Sequence, residues 1–485
     1  MFRLKLGLLS IIFACLAVAL TGCGGGAGSN QRTSPGQINH VVIIFQENRT
    51  PDNLFHDTVL MSRGADIATQ GQTSTGQTVT LTPVPLVTSY DLGHGHLAFL
   101  KACDYNPSTN ACAMDGADLD SCGPGDCPTY PEYQYVQQSD VQPYFTMAET
   151  YAFGDRMFQT NQGDSFPAHQ YILAGTSRVC TPQADCPSGI TTSVTISDNP
   201  ANNERPDGTY WAGCLAPPGS TINAIDLSQP FPQSGFGITQ LCLEHPTLTD
   251  LLNNAGLSWK YYAALPGDIW TAPNAIQHMC VPSPAYPSET SQCTGSDWMN
   301  HVVIEGSGAQ IVTDIGNQQL SAVTWVIPDG ANSDHADGNT GGGPSWVASI
   351  VNAIGESPYW ADTAIIVTWD DWGGWYDHVG PTILNSYEYG LRVPLIVIST
   401  YAKPQYVSHQ PNDFGSILRF IEETFSLQDV DYANPDVPYA DSYALGDLSD
   451  FFNFSQPQPF TYIQSPLQAD HFLNDKSPPT PPDTD

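Results

Sequence analysis

The chain has 485 residues, enough for one large domain or two ordinary ones, and 41% of them are apolar, which allows a sizeable core. Its 14 Lys and Arg stand against 49 Asp and Glu, a formal charge of −35. That balance argues against nucleic-acid binding, which needs a cationic footprint, and it means that an anionic substrate must be drawn in by a local cation.

In chain order, residues 1–22 read as an export signal. Arg3 and Lys5 give a positive start, and the apolar stretch 6–20 is about fifteen residues long, short for a membrane span and suited to a signal h-region. Leu20, Thr21, Gly22 and Cys23 resemble a bacterial lipobox. The resemblance implies cleavage before Cys23 and lipidation of that cysteine, hence an exported protein anchored to a membrane of the cell envelope. Ordinary secretion with cleavage nearby is the alternative. Residues 23–37 are Gly-rich at their start and read as a flexible tether. No later segment is long and apolar enough to span a bilayer.

The runs 41–45, 258–262, 323–327, 364–368 and 394–398 read as buried strands. Helices are expected between them: 247–256, ending in a C-cap-like Gly256; 344–354, opening on Pro344; and 413–427, with Asp413 as N-cap and Ile417, Phe420, Ile421 and Phe425 at helical spacing. This alternation predicts an α/β domain over 38–463, with a central, mainly parallel sheet flanked by helices. Leaving out Cys15 and Cys23, ten of the 12 cysteines remain, all between positions 103 and 293. In an oxidising compartment they imply up to five disulfides stapling loop insertions. Cys103 with Cys112 and Cys180 with Cys186 close the shortest loops singled out, and a zinc cluster is the alternative. Residues 180–232 read as an irregular insertion, and 464–485 as a disordered Pro-rich tail.

Two acidic segments carry the chemistry. Glu47 and Asn48 follow the first strand, and Asp370 and Asp371 follow the strand at 364–368. In open α/β sheets, ligands bind outside the carboxyl ends of strands. Hard oxygen donors at two such ends suggest one shared site for a divalent cation. Zn, Ca, Mg and Mn all remain open, as does the oligomeric state.

Four segments, 46–49, 161–169, 334–335 and 369–379, together with Asp91 to His94, Gly390 to Pro394 and Ser416 to Glu422, resemble the phosphoesterase family of bacterial phospholipases C and acid phosphatases, within the alkaline phosphatase-like superfamily. The resemblance implies an alkaline phosphatase-like fold and hydrolysis of a phosphate ester. It implies that Glu47, Asn48, Asp370 and Asp371 ligate one metal, with Ser165 as a further ligand and the nucleophile that passes through a phosphoseryl intermediate. His94, His278 and His335 match histidines lining the phosphate pocket, one of which protonates the leaving oxygen. Asp377 and His378 are expected to brace the Gly373-Gly374 turn, His169 to be structural, and Arg49 either to pair with a carboxylate or to touch phosphate. Three departures stand out: Thr50-Pro51-Asp52-Asn53 replaces the usual segment after Glu-Asn-Arg, Asp164 precedes the nucleophile, and Gln277 stands where relatives pair histidines. The end of the chain soon after the catalytic region tilts the expectation toward an acid phosphatase, with phospholipase C as the alternative. A non-catalytic binding module would have lost ligands that are all present. A sulfatase requires Arg where His169 stands.

Overall fold

Uninterrupted apolar runs bury strands on both faces, and such strands form the centre of this protein. The computed structural model describes residues 37–482 except 121, 124–126, 307–308 and 434. Its principal sheet contains β1 (His40–Gln46), β2 (Ala152–Phe158), β3 (Trp259–Ala263), β4 (Val302–Ile304), β5 (Val323–Val326), β6 (Thr363–Trp369), β7 (Arg392–Ser399), β8 (Tyr406–Ser408) and β9 (Asn412–Asp413). Their order is β4-β3-β5-β1-β6-β7-β2-β8, with β9 also pairing with β2. All pairings are parallel except the two made by β7, which runs antiparallel to both β6 and β2. The expected α/β sheet is therefore present, with one reversed strand near its middle.

Side chains alternate across a strand, and the central pair shows what covers each face. Phe45 meets His169 and Phe414 at ring-centroid distances of 4.8 and 5.3 Å. Those residues belong to α3 (Ser165–Ala174) and α6 (Phe414–Phe425). Trp369, in register with the next residue Gln46, faces the other way and packs 5.1 Å from Tyr144 of α2 (Gln138–Thr150). Helices thus cover both faces; α1 (His96–Cys103) precedes them in the chain. The expected caps are present: Thr247 forms a capping box for α4 (Leu248–Ala255), which ends at Gly256 with φ 68°; Pro344 lies in the first turn of α5 (Gly343–Gly355); and Asp413 caps α6.

All ten cysteines pair: Cys103–Cys112, Cys122–Cys127, Cys180–Cys186, Cys214–Cys242 and Cys280–Cys293. Two expectations need correction. The 180–232 insertion is not wholly irregular, because Val194–Ile196 and Ile222–Asp226 form an antiparallel sheet with Phe236–Ile238. The segment 464–485, expected to be disordered, contains α7 (Ala469–Asn474) with Phe472 buried. Further on, Thr480 donates its N–H to Asp329 Oδ2 at 3.0 Å and accepts from Gly330 N–H at 2.9 Å. One buried aromatic ring and paired backbone groups outweigh a Pro-rich composition there. The export signal, Cys23 and the tether up to residue 36 lie outside the described residues. Among the described residues, no helix is long and apolar enough to cross a membrane.

Candidate active site

The parallel register of β1 and β6 sets the site. Gln46 pairs with Trp369, so Glu47 and Asp370 leave neighbouring strands at the same level. Asp370 N–H donates to the Gln46 carbonyl at 2.8 Å, and Arg49 N–H to the Asp371 carbonyl at 2.9 Å. Asp370 Oδ1 accepts from the N–H groups of Asn48 (2.9 Å) and Asp371 (2.7 Å), leaving Oδ2 without a partner. Asn48 sits at φ 63°, a left-handed conformation that Asn tolerates better than most residues. Gly373, at φ 61°, must be glycine, since a Cβ there would lie 2.4 Å from the Asn48 carbonyl oxygen.

Because β7 reverses, β2 points the same way as β6, and the segment after β2 returns to this sheet edge. It delivers Ser165 at the first turn of α3. Ser165 Oγ donates to Asp371 Oδ2 at 3.4 Å. One turn along the helix, on the same face, His169 Nε2 lies 3.2 Å from Glu47 Oε1 and 4.0 Å from Asp370 Oδ2. The sequence reading set His169 aside as structural; its i, i+4 spacing from Ser165 was the available signal that it belongs to the same centre.

The donor set fits a divalent cation. Glu47 Oε2, Asn48 Oδ1 and Asp370 Oδ2 are buried without hydrogen-bond partners, a costly state for polar atoms unless something else satisfies them. Burial first, and then neighbouring carboxylates led by Asp370, hold the carboxyls of Glu47 and Asp371 well above the usual range. Burial pushes His169 down to about 4, so His169 supplies no compensating charge at neutral pH. Glu47, His169 and Asp370 offer ligand atoms within 4.8 Å of one another. Glu47, Asn48, Asp370 and Asp371 could supply oxygen ligands, with Ser165 beside Asp371, and His169 a nitrogen.

A second group adjoins this one. Asp91, His94 and His335 also place ligand atoms within 4.8 Å of each other, and the His94 and His335 rings are 5.6 Å apart. His94 Nδ1 lies 2.7 Å from the Leu92 carbonyl and its Nε2 lies 3.2 Å from Asn48 Nδ2, so both ring nitrogens are engaged. Burial opposes charge on His94, but Asp371, Asp91 and Asp164 outweigh it and hold its pKa well above the ordinary value. This group sets two imidazole rings beside the carboxylates. Asp164 is pushed up to about 8, by burial and then by Asp198. Burial thus favours the protonated form of the extra carboxyl next to Ser165, and charge on His94 opposes that shift.

His278 is not brought into this centre. Its Nδ1 lies 2.8 Å from Glu244 and its Nε2 3.4 Å from Asp250, and it lines a separate surface cavity of about 450 Å³ with Glu244, His245 and Asp250. Burial would lower its pKa, but the two carboxylates lift it to about 10. The side chain that sequence reasoning missed is Trp270, which packs 6.4 Å from the His169 ring and 6.3 Å from the His335 ring. Arg49 is fully buried and forms no ion pair with a carboxylate among the described residues. It donates to the Asp334 carbonyl (2.9 and 2.6 Å), to Asn53 Oδ1 (3.1 Å) and to the Leu86 carbonyl (3.2 Å), and so ties three loops together.

Beneath the 370–378 loop, Arg392 at the start of β7 bridges Asp377 (2.8 and 2.9 Å) and Asp52 (3.2 Å). His378 Nδ1 lies 2.7 Å from Asp52 and its Nε2 3.0 Å from Asp66. Burial alone would depress His378, but Asp52 and Asp377 outweigh it and raise its pKa to about 9. A raised folded-state value means that the stabilisation is complete below the unfolded value, about 6.5, and disappears as pH rises through about 9. Wild type should exceed His378→Gln by roughly 1–3 kcal/mol at pH 6, with the gap closing by pH 10. Urea denaturation of both proteins across that range measures it, and a gap independent of pH would refute the assignment.

The Phosphoesterase family model matches residues 38–428. Phospholipase C B of Mycobacterium tuberculosis is 25% identical over 462 residues, covering 87% of this chain and 78% of the relative. Non-hemolytic phospholipase C of Pseudomonas aeruginosa is 21% identical, covering 89% of this chain and 60% of the relative. A solved structure of a protein in the alkaline phosphatase superfamily from Vibrio parahaemolyticus aligns with a TM-score of 0.34 at 10% identity, over 82% of this chain and 69% of the other.

Proposed function

The chain belongs to the phosphoesterase family and is a phosphoric ester hydrolase, and from that premise we propose that Ser165 is its nucleophile, working beside a divalent cation. The observation that supports this reading is Ser165 Oγ 3.4 Å from Asp371 Oδ2, on the helix whose His169 meets Glu47 and Asp370, with buried unpartnered oxygens on Glu47, Asn48 and Asp370. A divalent cation held by those residues would favour ionisation of a serine hydroxyl and stabilise charge on phosphoryl oxygens. Ser165 Oγ attacks phosphorus in line, forming a phosphoseryl bond as the ester P–O bond breaks. Asp371 Oδ2 is the acceptor toward which the Oγ proton points. His94 and His335 lie beside these groups, and one of them gives its own proton to the departing oxygen and regains one from the water of the second step, while Asp371 gives the Oγ proton back to Ser165. Water then hydrolyses the phosphoseryl ester and restores Ser165.

The relatives named phospholipase C, which align along 87% and 89% of this chain, favour a phospholipid headgroup ester as substrate, ahead of the phosphomonoester expected from sequence. The five disulfides fit an exported protein. The test is hydrolysis of phosphatidylcholine and p-nitrophenyl phosphate with and without chelator. Chelation should lower the rate at least ~100-fold, with recovery on adding back a divalent metal, and phosphatidylcholine should be the better substrate. Turnover of the monoester alone would make the protein a phosphatase. Full activity after exhaustive chelation would remove the metal from the mechanism.

A further inference from the structure

A second concentration of carboxylates lies away from the active-site edge, where the last turn of α6 meets the loop that follows it. Glu422 projects from α6, and Asp429 and Asp441 come from the two ends of the loop. Their carboxylate oxygens lie within 4.8 Å of one another. Glu422 and Asp441 are 3% and 1% exposed, whereas Asp429 is open to solvent. Glu422 Oε1 and Asp441 Oδ1 are buried and have no hydrogen-bond partner. Among the described residues, no Lys, Arg or His forms an ion pair with any of the three.

The backbone around the cluster is already organised. Val430 N–H donates to the other Asp441 oxygen at 2.8 Å, and Tyr439 N–H to Asp431 Oδ2 at 3.0 Å. Arg419 donates to the Asp441 carbonyl at 2.5 Å, so its charge serves the backbone there. Ala440 N–H donates to the Gly175 carbonyl at 2.9 Å, at the C-terminal end of α3. Burying two carboxylates side by side with oxygen atoms facing no donor is expensive. Two arrangements relieve it: a proton shared between Glu422 and Asp441, or a cation. The shared proton involves Glu422 and Asp441 alone, whereas a cation would also use Asp429, whose carboxylate oxygen lies within 4.8 Å of theirs.

We propose that Glu422, Asp429 and Asp441 form a structural site for a hard divalent cation of the Ca²⁺ type, separate from the catalytic centre. The donors are all oxygen, which selects against metals that favour nitrogen or sulfur. Solvent at Asp429 lets water complete the six to eight ligands that Ca²⁺ takes, whereas Mg²⁺ demands a stricter octahedron. The ion would fasten the 429–441 loop to α6 and to the far end of the helix whose first turn carries Ser165.

The test is calorimetric titration of the chelator-treated full chain with CaCl₂, in wild type, Asp429→Asn and Asp371→Asn, with thermal denaturation alongside. Asp429 is exposed, so its substitution should leave the fold intact. The expected result is a saturable Ca²⁺ event that survives in Asp371→Asn and weakens at least tenfold in Asp429→Asn, with the Ca²⁺-dependent rise in Tm diminished in Asp429→Asn alone. An event unchanged by Asp429→Asn overturns the proposal. So does a wild type whose only Ca²⁺ event is lost in Asp371→Asn. A wild type without a Ca²⁺-dependent Tm, in which Glu422→Gln is as stable or more stable, would establish the shared proton instead. If Asp371→Asn fails to fold, the comparison of wild type with Asp429→Asn still decides.

Discussion

Ser165→Ala will fold and bind metal yet lose turnover by ~10⁴-fold or more, the scale seen when a covalent nucleophile is removed. The fold should tolerate the change. Ser165 makes one long hydrogen bond, to Asp371 at 3.4 Å, and α3 has no side-chain cap to lose at that end. Alanine is also a good helix former. The loss should fall on turnover and leave Tm within about 1–2 °C, as expected for a change costing a few tenths of a kcal/mol. Steady-state hydrolysis together with thermal denaturation separates the two effects. A variant that kept more than a few per cent of activity would show that water attacks phosphorus directly, and the phosphoseryl path would fall.

The largest effect on stability should come from Arg392. Its guanidinium is fully buried and holds Asp377, Asp52 and the carbonyls of Asp66 (3.0 Å) and Asp155 (2.7 Å). Arg392→Met keeps much of the volume but leaves buried Asp377 without its ion-pair partner and Asp52 with His378 alone. Breaking a buried pair on one side costs ~3–5 kcal/mol, and the expected loss in urea unfolding is of that size. Arg392→Lys should recover little, since one ammonium cannot reproduce the planar fork. A loss under about 1 kcal/mol would mean that the carboxylates find protons or water cheaply, and that the network does not hold the 370–378 loop.

Some of this was readable from the chain because it depends on local pattern. Residues 41–45 and 364–368 are apolar without interruption, and a strand buried on both faces must be so. The acidic residues right after them are visible for the same reason. Strand β2 escaped notice because Gly154, Asp155 and Arg156 break the run. Its Asp155 is tolerated in the sheet only because Asp66 N–H and His409, both distant in sequence, approach it at 2.8 Å. The reversal of β7 is equally invisible, because composition does not encode strand direction. His278 was misplaced for a related reason: its neighbours Glu244 and Asp250 lie on other segments, and a motif position says nothing about them. Thr50 to Asn53 looked like departures from the family. In the structure Thr50 caps the Pro51–Leu54 turn by accepting from Asn53 N–H at 2.9 Å, Asp52 anchors Arg392 and His378, and Asn53 receives Arg49. These substitutions keep a framework in place and leave the reacting groups untouched.

The reversed strand has one more consequence. A parallel neighbour would oblige the chain leaving β6 to travel to the opposite edge of the sheet before re-entering. Because β7 runs the other way, the connection through 370–391 begins and ends at the sheet edge that carries the candidate site. The first half of that connection is pinned by Asp370, Asp371, Asp377 and His378. The second half is held as well: Tyr171 donates to Glu388 at 2.7 Å, Tyr387 donates to the Ser197 carbonyl at 3.0 Å, and a Cβ at Gly390 would lie 2.1 Å from the Asn161 carbonyl oxygen. The hairpin-like return thereby ties the helix that carries Ser165, through Tyr171 and Glu388, to the same connection that carries Asp370 and Asp371.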